Sequence, residues 1–394
     1  MNYLLFAAGI EDTFIADPYP QTGKVLDEYD LTGHYDNWAK DFELIAGLGI
    51  RGLRWGIPWY RIEKEKGKFD FSFADKAIEK LDSLNITVIL DLMHYGCPLW
   101  MKEAFLDEAY PERVCRYTEA VLEHYRGSIH YVTPFNEPHT AAEFCGKLAQ
   151  WPPYKNSDEY YFRIMAQIVK GAQEQTRIAR RLGMEAVHIE CSGGSFSDDP
   201  RFEQLAYVDT MKQQCFFDFL TGRTDGIERF VSYALSTKGL SEKDLDEFSA
   251  GKTDIGIMGI NFYPQFSFKD IKADSEGRPV YSNHAMWVDD LDRILSFRFR
   301  RYNCPMMITE TSVRDDEKLK AEWLQDSVSY ITKDCAFPVT AYTWFPIIDM
   351  VDWEYRLDPV RGKEDYIARF GLFDSSRQAR DAAAVYERLI KEKE

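Results

Sequence analysis

Residues 131–138 read Tyr131-Val-Thr-Pro-Phe-Asn136-Glu137-Pro138, a short apolar run that closes on a carboxylate. Residues 306–311, Met306-Met-Ile-Thr-Glu310-Thr, repeat the form. Each run reads as a β-strand with a glutamate at its C-terminal tip. Such a carboxylate points into the mouth of a parallel barrel, the end where that architecture keeps its chemistry. Working outward, further candidate strands are Tyr3–Ala8, Gly52–Ile57, Thr87–Met93, Glu185–Cys191, Gly256–Phe262 and Thr340–Phe345, with Ile129–Phe135 and Pro305–Glu310 carrying the two glutamates. Amphipathic helical patterns lie between them: Asp36–Leu48, Phe73–Leu84, Pro111–Tyr125, Asp158–Leu182, Pro200–Leu220, Val288–Arg300, Lys318–Thr332 and Ser376–Lys391. Strand–helix alternation of this kind predicts an α/β fold, a single (β/α)8 TIM barrel forming one catalytic domain over residues 1–394. A doubly wound open sheet is the rival, but no Gly-rich phosphate or dinucleotide loop follows an early strand. Thr237–Thr253 reads as a charged surface excursion, and Gln265–Trp287 as a long loop over the barrel mouth.

Composition narrows the function classes. The formal net charge of −17 disfavours nucleic acid and anionic membrane surfaces as partners. No run of about 20 apolar residues is present to span a membrane, and the N-terminus lacks a basic segment before its short apolar stretch. The seven cysteines contain no CxxC pair, which fits reduced thiols in a cytoplasmic protein and gives no zinc site. Aromatic residues make up 15% of the chain, enough to fill a large core and still leave rings for stacking on flat sugar faces.

The strand ends gather chemistry. Glu11 and Asp12 follow strand 1. Arg54 lies on strand 2. Strand 3 leads through Asp91 to His94-Tyr95. Asn136-Glu137 ends strand 4, Asn261-Phe-Tyr263 ends strand 6, and Glu310 ends strand 7. Strand 8 runs into Trp344, then Asp349, Asp352 and Trp353. The series Leu-Arg54-Trp, His94-Tyr-Gly-Cys-Pro98, Asn136-Glu137-Pro138, Gly259-Ile-Asn261-Phe-Tyr263, Ile308-Thr309-Glu310 and Asp349-Met-Val-Asp352-Trp353 resembles family 1 glycoside hydrolases, from Gly9 through Phe370-Gly371-Leu372.

The resemblance implies a retaining β-glycosidase acting on a small β-glycoside or oligosaccharide, with no metal and no organic cofactor. Retention takes two carboxyl groups about 5–5.5 Å apart, one protonated to release the leaving oxygen and one ionised to attack the anomeric carbon. The resemblance makes Glu137 the acid/base and Glu310 the nucleophile. It has Arg54 and Tyr263 donate to Glu310 and favour its charged form, while Glu137, without a cation beside it, keeps a higher pKa. It sets Asn136 on the sugar 2-hydroxyl, His94 on a ring hydroxyl, Trp344 beneath the sugar as a platform, and Asp352 and Trp353 around its far hydroxyls, with Tyr95, Asn261 and Glu11 nearby. Each also has a plainer structural reading, as a helix cap, ion-pair residue or core packing.

The chain departs from the family at several of these positions. Tyr95-Gly96 stands for Trp-Asp, Thr311-Ser312 for Asn-Gly, and Asp352-Trp353 for Glu-Trp. A first-strand Gln that grips two hydroxyls has no match, and Glu11 stands nearby. Competing readings are an endo-acting glucanase or transglycosidase on the same fold, and a catalytically silent sugar-binding barrel.

Overall fold

The computed structural model describes residues 4–393, so Tyr3, the first residue of the expected opening strand, lies outside the described residues. Strands β1 (Leu5–Gly9), β2 (Gly52–Gly56), β3 (Thr87–Asp91), β4 (Tyr131–Thr133), β5 (Glu185–Cys191), β6 (Ile257–Asn261), β7 (Met306–Thr311) and β8 (Val339–Trp344) are the eight that the sequence indicates, within a few residues at each end. Each pairs in parallel with its neighbour in sequence, and β1 pairs with β8, closing the barrel.

Strand alternation determines what the barrel encloses. Ile89, Val187, Ile189, Met307 and Ala341 form one buried cluster inside it, with Leu5, Tyr131 and Ile257 packed against them. Counting in twos from these residues toward the C-terminal end brings Gly9, Asp91, Asn261 and Phe345 to the inner face of the mouth. The larger core lies outside the strands, where helices bury their apolar stripes. Helix Ser72–Ser83 buries Ala74, Ala77, Ile78 and Leu81, the face its sequence pattern predicts.

Three segments differ from their sequence reading. Pro200–Leu220 is not one helix: a 3₁₀ turn at Pro200–Phe202 leads to helices Glu203–Lys212 and Cys215–Leu220. The Gln265–Trp287 segment is not a loop but an antiparallel hairpin, Phe268–Ala273 with Pro279–His284, to which Gly194–Phe196 adds a third strand. Phe268 and Ile271 are its buried residues, too sparse a pattern to announce a strand. Its turn is fastened by the Asp274 carboxylate, which accepts from the Glu276 and Arg278 backbone N–H groups, with Gly277 at φ +80°. The Thr237–Thr253 excursion contains helix Glu242–Gly251, started by a reciprocal Ser241–Asp244 capping box.

The mouth loops are tied to one another by a single fully buried arginine. Arg356, in the segment after β8, donates Nη2 to the Asp17 carbonyl at 2.7 Å and to Tyr154 Oη at 2.9 Å, and Nη1 to the Gln150 carbonyl. Loops after β1, β4 and β8 are thereby joined. Replacing it leaves three half-buried acceptors without their donor, at up to about 1–3 kcal/mol each where water does not reach them. Arg356→Met is therefore expected to lower stability by about 2–4 kcal/mol. The check is the denaturant midpoint, and an unchanged midpoint would rule out the clamp.

Candidate active site

A cavity of about 750 Å³ opens at the C-terminal end of the barrel. Glu11, His94, Tyr95, Glu137, Tyr263, Glu310, Asp352 and Trp353 line it, which brings together eight of the residues named from sequence.

At its base Arg54, fully buried on β2, donates Nη1 to Glu310 Oε1 and Nη2 to Asp91 Oδ2. Tyr263 Oη donates to Glu310 Oε2 at 2.6 Å. Both contacts match the expectation for Glu310. The sequence reading treats Arg54 as the cation of Glu310 alone, whereas the guanidinium is shared with Asp91. His94 Nδ1 lies 2.6 Å from Asp12 Oδ1 and 3.2 Å from Asp91 Oδ2. Burial opposes the charged imidazole, but Asp12 and Asp91 outweigh it and hold His94 well above its ordinary value. Glu310 differs from the expectation. Burial pushes it up to about 8; Arg54 opposes this and the neighbouring Glu137 charge adds to it. The first cause is the loss of solvent around Glu310, which Arg54, His94 and the Tyr263 hydroxyl only partly offset. Asp12 and Asp91 stand at strand ends in the sequence, and alternation could have marked Asp91 as inward-facing. The metal-like grouping of Asp12, Asp91 and His94 is already filled, because Arg54 occupies Asp91 and the His94 ring bridges the two carboxylates.

Glu137 follows β4 in a left-handed conformation, φ 42° and ψ 69°. Its Oε2 accepts from Tyr95 Oη and Thr140 Oγ1, each at 2.8 Å, and Oε1 accepts from Asn261 Nδ2 at 2.8 Å. These partners are neutral, as the sequence reading requires. Thr140 was not singled out from sequence, although its spacing of three from Glu137 is helical. Asn261 also pairs in register with Glu310, so one β6 residue is adjacent to both strand-end carboxylates.

Several assignments change. Trp344 is not a platform: strand alternation from Ala341 turns it toward the helix layer, where it is fully buried and donates Nε1 to the Phe370 carbonyl at 3.1 Å. The next residue, Phe345, faces inward instead, with its ring 6.3 Å from that of His94 and 5.2 Å from the Arg54 guanidinium carbon. Asn136 does not reach the cavity wall either. It is buried behind it, its Nδ2 2.8 Å from Tyr95 Oη and 3.0 Å from His94 Nε2. Asn261 is likewise behind the wall. Tyr95 presents its ring to the cavity, but its hydroxyl is engaged by Glu137. On the far side Asp352 is paired with Arg314 at 2.6 Å, a cation the sequence reading did not name, and Trp353 packs 5.1 Å from Trp151. Glu11 accepts from Thr13 Oγ1 at 2.6 Å, and burial raises its pKa.

The molecule is thus a (β/α)8 barrel whose cavity collects carboxylates from the ends of strands 4 and 7. Residues 7–210 match the model of glycosyl hydrolase family 1, and the chain belongs to that family. It is a glycoside hydrolase. Beta-glucosidase A of Thermotoga maritima is 21% identical over 91% of this chain and 86% of its own. The aryl-phospho-beta-D-glucosidase BglA of Bacillus subtilis is 21% identical over 81% and 77%. A solved structure of the Thermotoga maritima beta-glucosidase superposes with a TM-score of 0.83 at 18% identity, covering 100% of this chain and 99% of that one.

The Tyr263 contact yields a prediction. Tyr263→Phe removes a donor to ionised Glu310, so its proton is held more tightly. The Glu310 protonation step is expected to move up by about one pH unit, since a hydrogen bond to a charged group is worth about 1.5–3 kcal/mol. Carboxyl-region infrared difference titration reads this directly, and a downward shift would contradict it.

Proposed function

We propose that this glycoside hydrolase is a retaining β-glycosidase in which Glu310 is the nucleophile and Glu137 the acid/base, acting on a small β-glycoside or oligosaccharide. The observation that carries the assignment is the asymmetry of their surroundings: Glu310 is bound by a guanidinium and a phenol, Glu137 by neutral donors only. Ionised Glu310 attacks the anomeric carbon as the bond to the leaving oxygen breaks, and Glu137 gives that oxygen its proton. In the second step Glu137, now a carboxylate, takes a proton from water. The water oxygen attacks the anomeric carbon and Glu310 leaves, restoring both groups. His94, Asp352, Trp353 and Glu11 are the groups proposed to hold the sugar, with Phe345 replacing Trp344 as the aromatic floor beside Arg54. The Asp352–Arg314 pair supports a closed sugar end, which suits small substrates better than a polymer lying through a groove. A single catalytic unit over the whole chain and a cytoplasmic location are part of the proposal. All seven cysteines are free thiols, and among the described residues no helix is long and apolar enough to cross a membrane.

The raised Glu310 value sets the pH dependence. The two carboxyls need one proton between them, and that proton belongs to the pair. Its loss near pH 8 leaves no acid for the first step, so kcat/KM is expected to fall above about pH 8. A profile still rising at pH 10 would overturn this. A panel of nitrophenyl β-glycosides tests the activity: wild type should release nitrophenol from at least one member and Glu310→Gly from none. Proton NMR should show the β-anomer first. Azide should rescue Glu310→Gly as an α-glycosyl azide and Glu137→Ala as a β-glycosyl azide, and exchanged products would mean that the two roles are reversed. Glu137→Ala is expected to slow glycosides of poor leaving groups by about 10²–10⁴-fold.

A further inference from the structure

Strand β5 carries a carboxylate that takes no part in lining the cavity. Val187 and Ile189 fill the barrel interior, so alternation turns Glu190 outward, beneath the helix layer, where it is fully buried. Both of its oxygens are used, and both by backbone. Oε2 accepts from the His139 N–H at 2.9 Å, and Oε1 accepts from the Cys191 N–H at 2.9 Å. Its partners include no cation. The nearby His139 ring is pushed down to about 3 by burial and is neutral, its Nδ1 2.9 Å from Tyr161 Oη. Burial, with the Glu137 charge beside it, raises the Glu190 carboxyl well above its ordinary value. A buried carboxyl without a cation is a costly way to satisfy two N–H groups.

The location of His139 explains what the cost maintains. His139 is two residues after Glu137, in the short helix Pro138–Ala142. Glu137 stands at the cap position of that helix but does not cap it: its side chain makes no cap hydrogen bond and faces the cavity instead. Its backbone, at φ 42°, is in a left-handed region that is unfavourable for a non-glycine residue and persists only where surrounding contacts hold it. Pro138 has no N–H to contribute. The His139 N–H is therefore the first backbone donor after Glu137, and Glu190 reaches from the neighbouring strand to hold it.

We propose that Glu190 is a positioning residue, which fastens the turn after β4 to β5 and so aims the Glu137 carboxyl at the leaving-group oxygen. The residue type follows from the geometry. A carboxyl group offers one acceptor oxygen to each N–H group; glutamine would set its own N–H₂ against one of them, and aspartate is one methylene shorter in its reach from β5 to His139. The inference rests on Glu137 being the acid/base.

The test separates aim from stability through the leaving group. A 2,4-dinitrophenolate departs without a proton, whereas an alkoxide needs one. Glu190→Gln and Glu190→Asp are compared with wild type on 2,4-dinitrophenyl and alkyl β-glycosides of the same sugar, with Glu137→Ala run beside them. Each Glu190 variant is expected to lose about 10–100-fold in kcat on the alkyl glycoside, a loss consistent with a displacement of about 1 Å. On the dinitrophenyl substrate glycosylation should change by less than about threefold, since that step needs no proton. Equal losses on both substrates, or none on either, in the variants that fold overturn the proposal while leaving the role of Glu137 intact, provided Glu137→Ala itself shows the selective loss. If Glu137→Ala shows no selectivity, the acid/base assignment falls, and the Glu190 inference with it. If Glu190→Gln does not fold, Glu190→Asp, which keeps the carboxyl group and withdraws it from His139, decides the matter alone. Failure of both to fold overturns the proposal in favour of a purely structural role.

Discussion

Everything at the mouth of this barrel is arranged around one buried guanidinium. Arg54 is fully enclosed, with one Nη on Glu310 and the other on Asp91. A cation without solvent must be surrounded by negative charge, and more carboxylates converge here than one arginine can neutralise. Against the opposing effect of burial, Asp12 and Asp91 hold His94 well above its ordinary value, and burial makes Glu310 take up a proton more readily than a carboxyl in water. Glu310 is therefore not simply a carboxylate stabilised by an arginine. It shares that arginine with Asp91, and burial with the Glu137 charge beside it pushes its carboxyl up to about 8.

The barrel makes this concentration of charge possible. Its strands are short and its interior is closed by a few aliphatic side chains, so the inward positions nearest the C-terminal end are free for polar groups. Residues far apart in sequence, such as Arg54, Asp91 and Glu310, arrive within bonding distance because register places them on one inner rim. Outward positions on the same strands do different work. Trp344 packs under the helices, and Glu190 holds the turn after β4 against β5 behind the cavity.

Much of this was legible in the residues, and the reasons differ from case to case. The strands and the paired glutamates could be read because short apolar runs ending in polar residues are a local signal. Arg54 and Tyr263 can be assigned to Glu310 because the motifs that carry them resemble the family's, and both side chains do donate to it. The motif resemblance sets Trp344 beneath the sugar, whereas strand parity counted from the inward Ala341 turns it toward the helices, and parity is decided by the neighbouring strands. The resemblance sets Asn136 on the sugar 2-hydroxyl with Asn261 nearby, and three-dimensional packing engages both amides with His94, Tyr95 and Glu137. The hairpin at Phe268–His284 was hidden because its outer strand is exposed throughout most of its length and lacks alternation. Arg314 and Arg356 could not be found, since their partners lie on loops distant in sequence.

The Arg356 clamp has a consequence for how such a site can diversify. Loops on a barrel are commonly treated as independent inserts, each free to lengthen or mutate while the scaffold stays put. Here the loops after β1, β4 and β8 share one set of hydrogen bonds to a single side chain. A change of length in any of them breaks hydrogen bonds that hold the others. The mouth of this enzyme is therefore one exchangeable module: its substrate range can drift by point changes within the module, but transplantation from a relative succeeds only if the three loops travel together.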